Sequence, residues 1–195
     1  MERSPHRRRA LAVSPDGSKV YAAFTDLSGK NTLAVISTAS NTITQKIPLS
    51  MGASFSGPFV ALSVDGTRAY VTLTNASQLA IVDTVSNQLL STVSISPSYP
   101  VSLAVHPNGK TAYLVSNLSF SGIVVFDLTT GSVTGTIAAP GTPVPFNVAF
   151  TPDGSRAYMT EELGPVLIID TASQKIVGQL PVGNSNSIGV TIAAH

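Results

Sequence analysis

The sequence predicts an all-β chain built from four copies of one four-stranded unit. Three observations lead to this prediction. A short turn ending in glycine recurs, with its glycines 49, 43 and 45 residues apart. A tyrosine follows each glycine by four positions, and no segment carries helical periodicity over three turns. A repeat period of roughly 20–50 residues indicates a solenoid, a propeller or an array of small units.

The repeated turns share a polar first residue, a central acid or amide, and a final glycine that accepts left-handed φ without a Cβ clash. They are residues 14–17, 63–66, 106–109 and 151–154, and the tyrosines are Tyr21, Tyr70, Tyr113 and Tyr158. We expect His106, which opens the third turn, to accept a hydrogen bond from the turn backbone. We expect Lys19, Arg68 and Arg156 to pair with the turn acids Asp16, Asp65 and Asp153.

The third repeat shows the predicted strands most clearly. They cover residues 101–105, 111–116, 122–127 and 132–138, with short turns between them. Four-stranded antiparallel units at this period form the blades of a β-propeller. The sequence therefore predicts blades at about 10–49, 58–96, 101–139 and 146–182, and residues 187–194 align with the first strand of a further blade.

Composition limits the classes of function. Only 11% of the 195 residues are charged, against about 25% in ordinary domains, which disfavours disorder by self-repulsion. Arg3, Arg7, Arg8 and Arg9 form a basic tail at residues 1–9, predicted to be disordered, and the remaining chain has seven basic and nine acidic residues. A nucleic-acid footprint on the folded body is therefore not expected.

The absence of cysteine excludes disulfides and thiolate metal sites. No apolar run approaches a membrane span of roughly 18 residues.

Several motifs resemble a known repeat family. Tyr-Val-Thr-x-x-Asn at residues 70–75, the Ser-Pro-Asp-Gly turn, and Ile-Val-Asp-Thr (81–84) and Ile-Ile-Asp-Thr (168–171) are similar to YVTN-type β-propeller repeats. The resemblance covers roughly residues 10–182 and departs from the pattern at Ser37, where other copies have Asp. It implies a bacterial or archaeal surface-layer, secreted or periplasmic protein, and a ring of about seven blades. Four blades and one strand would then be part of a larger ring, or an open arc that self-associates.

Aromatic and amide side chains are the candidates for ligand binding. Propeller ligands usually meet the loops that join the last strand of one blade to the first of the next, together with those between the second and third strands. The blade-to-blade loops carry no charge, and Phe55, Tyr99 and Phe146 lie in or beside them. These rings either contact a glycan or peptide, or seal the space between blades. Asn75 and Asn117 lie in the loops after the second strands.

Glu161 and Glu162 are the candidate catalytic residues if the protein is an enzyme. Neighbouring carboxylates serve as general acid and base when burial separates their pKa values. Adjacent strand residues point to opposite faces, so we expect two solvated acids at a strand end instead. The histidines His6, His106 and His195 lack zinc-ligand spacing, and no phosphate-binding or nucleophile motif is present. No metal and no cofactor are expected.

Two classes of function follow from these observations. The first is a non-catalytic binding or scaffold propeller that presents uncharged loops to a protein or glycan partner. The alternative is an enzyme similar to the propeller lactonases and cycloisomerases, which needs convergent acids, His or Arg at the channel mouth. DNA binding through the arginine tail is a third alternative and predicts strongly salt-dependent affinity.

Overall fold

The computed structural model describes residues 10–26, 28–51, 57–95, 99–117, 121–141, 144–182 and 189–191. Within these ranges the chain forms sixteen strands in four separate four-stranded sheets. Every sheet is antiparallel, and its strands follow one another in chain order. The predicted all-β class and the four repeated sheets are confirmed. The predicted tail, residues 1–9, lies outside the described residues.

The first two sheets, blades 1 and 2, form one compact unit that ends at Ser94. Blade 1 consists of β1 (Ala10–Val13), β2 (Lys19–Thr25), β3 (Lys30–Ser37) and β4 (Thr42–Met51). Blade 2 consists of β5 (Val60–Leu62), β6 (Arg68–Leu73), β7 (Gln78–Asp83) and β8 (Gln88–Ser94), with a single 3-10 turn at Thr74–Ala76 after β6.

The other two sheets, blades 3 and 4, form a second compact unit that begins at Ile95. Blade 3 consists of β9 (Pro100–Val105), β10 (Thr111–Asn117), β11 (Ser121–Asp127) and β12 (Ser132–Ala138). Blade 4 consists of β13 (Val144–Phe150), β14 (Arg156–Glu162), β15 (Val166–Asp170) and β16 (Lys175–Leu180). Of the predicted fifth-blade strand at 187–194, only residues 189–191 are described, and they are not in a strand. That strand stays a prediction.

The glycine turn joins the first two strands of each blade as its sequence predicts. Gly17, Gly66, Gly109 and Gly154 all have φ near +70° (70–72°), the left-handed region that glycine enters without strain. The turn acid accepts the backbone N–H two residues on, at 3.0 Å in the Asp16, Asp65 and Asp153 turns. These hydrogen bonds to the ionised form, led by the hydroxyl at the first turn position, lower the pKa of each carboxyl to about 2.

The turn between the last two strands explains the repeated aspartate. Asp83, Asp127 and Asp170 each accept backbone N–H groups of the following turn in an Asx-type arrangement. Two of them are also the partners of the arginines: Arg68 binds Asp83 at 2.5 Å, and Arg156 binds Asp170. The prediction that these arginines pair with the turn acids is therefore wrong. The neighbouring third strand brings a carboxylate closer to each guanidinium than the turn does.

One irregularity is common to all four sheets. The pairing of the last two strands shifts register at an equivalent place in each blade, between residues 35 and 36, 81 and 82, 125 and 126, and 168 and 169, and blade 1 has a further shift between residues 31 and 32. Such bulges increase the local right-handed twist of the strand that carries them. The bulge is therefore part of the repeat, although no residue pattern in the sequence predicts it.

Each unit has one core, formed where its two blades face each other. The side of a sheet that carries the repeated tyrosine is called the Tyr face here, and the other side the reverse face. The first core joins the Tyr face of blade 1 to the reverse face of blade 2, and the second core joins blade 3 to blade 4 in the same way. The first strands of the paired blades also contact each other, β1 with β5 and β9 with β13.

Candidate functional site

Most of the candidate residues lie along one edge of a blade. The upper edge is the end of a sheet where its first strand begins and its second strand ends. In blade 3 this edge carries Tyr99 and Asn117, and in blade 4 it carries Phe146, Glu161 and Glu162. The second unit therefore holds five of the seven candidate side chains. Asn75 belongs to blade 2 of the first unit, and Phe55 lies outside the described residues.

Tyr99 is fixed to the upper edge of blade 3 through its backbone. Its N–H donates to the Oγ of Ser116 at 3.1 Å, and Ser116 is buried in the neighbouring strand. The half-buried Tyr99 ring packs against the second core. The ring therefore helps to close the core between the two blades, and its contact with a glycan or peptide stays a prediction.

Phe146 lies at a bulge in the first strand of blade 4. The pairing with β14 skips it, from Pro145 opposite Glu161 to Asn147 opposite Thr160. A bulge re-aims a side chain relative to the regular pleat, and bulges are frequent next to functional sites. The ring of Phe146 is half-buried.

The two asparagines occupy different local structures. Asn117 ends β10 opposite Ser121 and is partly exposed. Asn75 is exposed at the centre of the 3-10 turn, which closes with the Ser77 N–H on the carbonyl of Thr74 at 3.1 Å. Ser77 has φ of 50°, a left-handed conformation for a residue with a Cβ. The Asn75 side chain thus stands on a tightly folded loop.

Among the candidate residues, Glu161 is the one whose burial differs most from the prediction. The prediction of two solvated acids is wrong here, because Glu161 is only 1% exposed and neither carboxyl oxygen has a hydrogen-bond partner. Burial raises the pKa of this carboxyl above its ordinary value, since desolvation disfavours the charged form. Glu162 is partly exposed and, as its neighbour in the strand, points to the opposite face. The two carboxyls therefore form no acid–base pair.

The alternation of β14 explains why Glu161 is buried. It shares the reverse face of blade 4 with Ala157 and Met159, both of which lie in the second core. The equivalent residue of blade 2, also seven positions after the turn glycine, is Leu73, which is buried in the first core. At this position, seven residues after the turn glycine, the four repeats have Phe24, Leu73, Ser116 and Glu161. That column is the sequence signal that would have identified Glu161 as a carboxyl at a core position.

A small polar group beside Glu161 was not predicted at all. The buried Ser102 of β9 donates through its Oγ to the Oδ1 of Asn147 at 2.7 Å, which joins blade 3 to blade 4. The hydroxyl of Thr160, paired with Asn147 across the sheet, is buried without a partner. Gly189 lies close to this group, because a Cβ placed on it would be 4.0 Å from the Nδ2 of Asn147. Serine and threonine are too common in this chain for the sequence to single these out.

His106 has the predicted role and a second one. Its Nδ1 accepts the N–H of Asn108 at 2.9 Å, which confirms the expected turn contact. Its Nε2 lies 2.9 Å from the carbonyl oxygen of Gly154 in blade 4, so this nitrogen carries the hydrogen. The ring also meets Phe150 edge-on, with centroids 4.8 Å apart. His106 therefore links blades 3 and 4 at their lower ends, which are the ends opposite the upper edge.

The described part of the chain has neither a cluster of metal-ligating side chains nor a helix that could span a membrane. None of its His, Asp and Glu side chains gather in threes around a point where a metal ion would fit. Among the same residues, no helix has the length and apolar character needed to cross a bilayer.

Comparison with known proteins establishes the fold. By sequence, the chain matches no described family and no curated protein. Among solved structures, it is similar to the hydrazine synthase of Kuenenia stuttgartiensis (TM-score 0.76, 21% identity over 88% of this chain). It is also similar to the β-propeller domain of Cps50 (Swd1) from Myceliophteria thermophila (TM-score 0.74, 13% identity over 95% of this chain). The chain spans about half of each, 48% and 58% of their lengths. With its four antiparallel sheets, the chain has a β-propeller fold.

Proposed function

We propose that this chain is a non-catalytic binding propeller of the YVTN type, which presents uncharged upper-edge loops to a protein or glycan partner. One observation carries the proposal. All seven aspartates of the chain are described, and every one accepts hydrogen bonds from its own turn. The aspartates are thus used to fold hairpins, and the upper edge of the second unit carries aromatic, amide and hydroxyl groups beside Glu161 and Glu162.

The chemistry of this edge suits a neutral partner. Tyrosine combines a flat apolar ring with a hydroxyl, and an asparagine amide offers both a donor and an acceptor. Sugar rings require this combination, since they carry apolar faces and hydroxyl groups together. Tyr99 and Asn117 of blade 3, with Phe146 of blade 4, are the residues we assign to partner contact. The resemblance to surface-layer repeats supports a periplasmic, secreted or cell-surface location for such contacts.

A glycan array followed by calorimetry tests this proposal. Variants Tyr99→Ala and Asn117→Ala should each weaken binding of the best neutral oligosaccharide by roughly tenfold or more, because each removes a stacking or hydrogen-bonding group. Val177→Ala is the matched control, since Val177 is exposed on the outermost strand of the same unit. An array without any hit would leave protein partners as the remaining class. Unchanged affinity in both variants would show that the partner does not contact the upper edge.

Glu161 supports a second candidate, a lactonase-like or cycloisomerase-like enzyme. A carboxyl whose pKa is raised by burial can donate a proton to a leaving alkoxide, or take one once ionised. Hydrolysis of a panel of lactones should then vanish in Glu161→Gln and persist in Glu162→Gln. The two variants are matched in chemistry and adjacent in the chain, yet they alter opposite faces of β14. Equal activities in the two variants, or none in the parent, would dismiss this candidate.

DNA binding remains the third candidate, and it depends on arginines at residues 1–9, outside the described residues. It predicts an affinity that falls steeply with salt and disappears when residues 1–9 are removed. Binding that survives this deletion would exclude the tail as its source.

A further inference from the structure

The reverse face of blade 1 has an apolar groove that no part of the described chain fills. The groove encloses about 470 Å³. The residues that line it are all apolar: Leu11, Ala22, Ala23, Phe24, Ala34, Ile36 and Ile43. Leu11 is 65% exposed and Ile43 is 53% exposed, and they lie on the two edge strands of the same sheet face.

The groove corresponds, residue by residue, to a surface that the chain buries elsewhere. Strand pairing places Leu11, Phe24 and Ile36 of blade 1 where blade 2 has Val60, Leu73 and Val82. Those three residues of blade 2 are buried against the Tyr face of blade 1.

The same correspondence holds in the second unit. Blade 4 has Val148 and Ile169 where blade 1 has Leu11 and Ile36, and both are buried against the Tyr face of blade 3. In both units a reverse face is covered by the Tyr face of the preceding blade. The reverse face of blade 1 therefore has the shape and chemistry to receive a Tyr face.

The turn glycines repeat this relation. A Cβ on Gly66 would lie 2.7 Å from the Cδ of Pro15, because the turn of blade 1 sits on the turn of blade 2. Gly17 is the equivalent glycine of blade 1, and it has no neighbouring atom within 4 Å of its Cβ position. The place for a preceding turn is thus open as well.

Blade 4 carries the matching Tyr face, and this face is incompletely covered. Leu180 pairs with Val166 on the outermost strand, in the position of Ile47 in blade 1 and Ile137 in blade 3. Ile47 and Ile137 are buried, whereas Leu180 is 47% exposed.

We propose that the reverse face of blade 1 binds the Tyr face of blade 4 of a second copy of this chain. The contact reproduces the blade-to-blade interface that each unit already contains, with Leu180 in the place that Ile47 takes in the first unit and Pro152, the counterpart of Pro15, on Gly17. The interface is heterologous, because the two copies use different surfaces. It does not depend on the partner proposed for the upper edge.

Sedimentation equilibrium on complementary variants tests this interface. The parent chain should associate, while Ile43→Lys and Leu180→Glu should each weaken association roughly a hundredfold, since each buries an unpaired charge in an apolar contact. Val85→Glu is the matched control, because Val85 is exposed in the turn after β7. Circular dichroism checks that each variant is folded, and Ile43→Ser replaces Ile43→Lys if the lysine prevents folding.

Mixing the two variants gives the decisive result. Each retains one intact surface, so the mixture of Ile43→Lys and Leu180→Glu should recover a heterodimer that neither forms alone. A monomeric parent chain overturns the proposal, and so does parent-like association of both variants. Recovery that fails in the mixture would also overturn it, because a symmetric contact loses both halves together. Since the contact is apolar, added salt should not weaken it, which separates it from association through the arginines.

Discussion

The two units of this chain build the same interface and differ at both of its ends. At the upper end, the first unit has Leu73 and the second has Glu161, each only 1% exposed. At the lower end, the turn of blade 1 covers Gly66 with Pro15, whereas the turn of blade 3 covers Gly154 with the His106 ring. The glycine turn and the bulge between the last two strands are kept in both units, so these two differences lie in the side chains.

This difference separates structural repetition from specialisation. An apolar residue at the upper position maximises burial, and the first unit has one. A carboxyl in that place costs desolvation energy and has no partner to offset it. The second unit therefore carries a local cost that its fold does not require, at the edge where most candidate binding residues lie. Strain of this kind is expected at functional positions.

Introducing the acid into the first unit should have the largest effect. Leu73→Glu places a carboxyl in the first core and should lower the free energy of unfolding by about 4 kcal/mol, from lost apolar burial and desolvation together. Hydrogen exchange of peptides from β6 and β7, followed by mass spectrometry, reports on this unit. Val85→Glu adds the same charge at an exposed turn and should change little. A loss below about 1 kcal/mol would mean that the core rearranges to hydrate the acid.

Removing the acid from the second unit should stabilise it, the opposite of the effect expected in the first unit. Glu161→Leu should raise the free energy of unfolding by about 2 kcal/mol, because it replaces an unpartnered buried polar group with apolar surface. Glu161→Gln is the control that removes the ionisable group but keeps its polarity, and its gain should be smaller. Slower exchange of β14 peptides is the expected readout. A destabilised Glu161→Leu variant would show that the carboxyl has stabilising contacts in solution.

Stability of the second unit should fall as pH rises. The pKa of Glu161 is raised in the folded chain, so the folded state holds this proton more tightly than the unfolded state. Its contribution is complete below the unfolded value of 4.5 and is lost as pH climbs through the folded pKa. The turn acids have folded pKa values of about 2 and an ordinary value of 3.8, so they make stability rise with pH up to about pH 5 and add no slope above it. Denaturant titrations from about pH 5 to about pH 8 therefore isolate the Glu161 slope, which Glu161→Gln should abolish.

Loss of the His106 contacts should have the smallest effect on stability among these four predictions. His106→Ala removes the bonds to Asn108 and Gly154 and the edge contact with Phe150, and should lower the free energy of unfolding by about 1.5 kcal/mol. His106→Ser, which restores the first-turn residue of blades 1 and 2, should recover part of this through the turn hydrogen bond. Thermal unfolding of the three chains makes the comparison. Equal midpoints would show that the contact with blade 4 contributes nothing.

The parts of the fold that local patterns encode were predictable. The glycine turns need left-handed φ, and the aspartates of the other turn need backbone N–H donors within two or three residues. Both requirements are visible in short windows of sequence. The burial of Glu161 was not visible in this way, because exposed acids are far more common than buried ones. Only the column shared with Leu73 indicates which face this carboxyl occupies.

The sequence by itself determined the repeat, its four strands, its two kinds of turn and the propeller class, since these follow from periodicity and from backbone chemistry within a few residues. The tertiary structure decided which arginine meets which aspartate, where the strands bulge, and which sheet faces are covered. It also decided that one glutamate lies in a core and that blade 1 keeps an open groove. These are properties of surfaces brought together from distant parts of the chain, and short-range pattern does not specify which surfaces will meet.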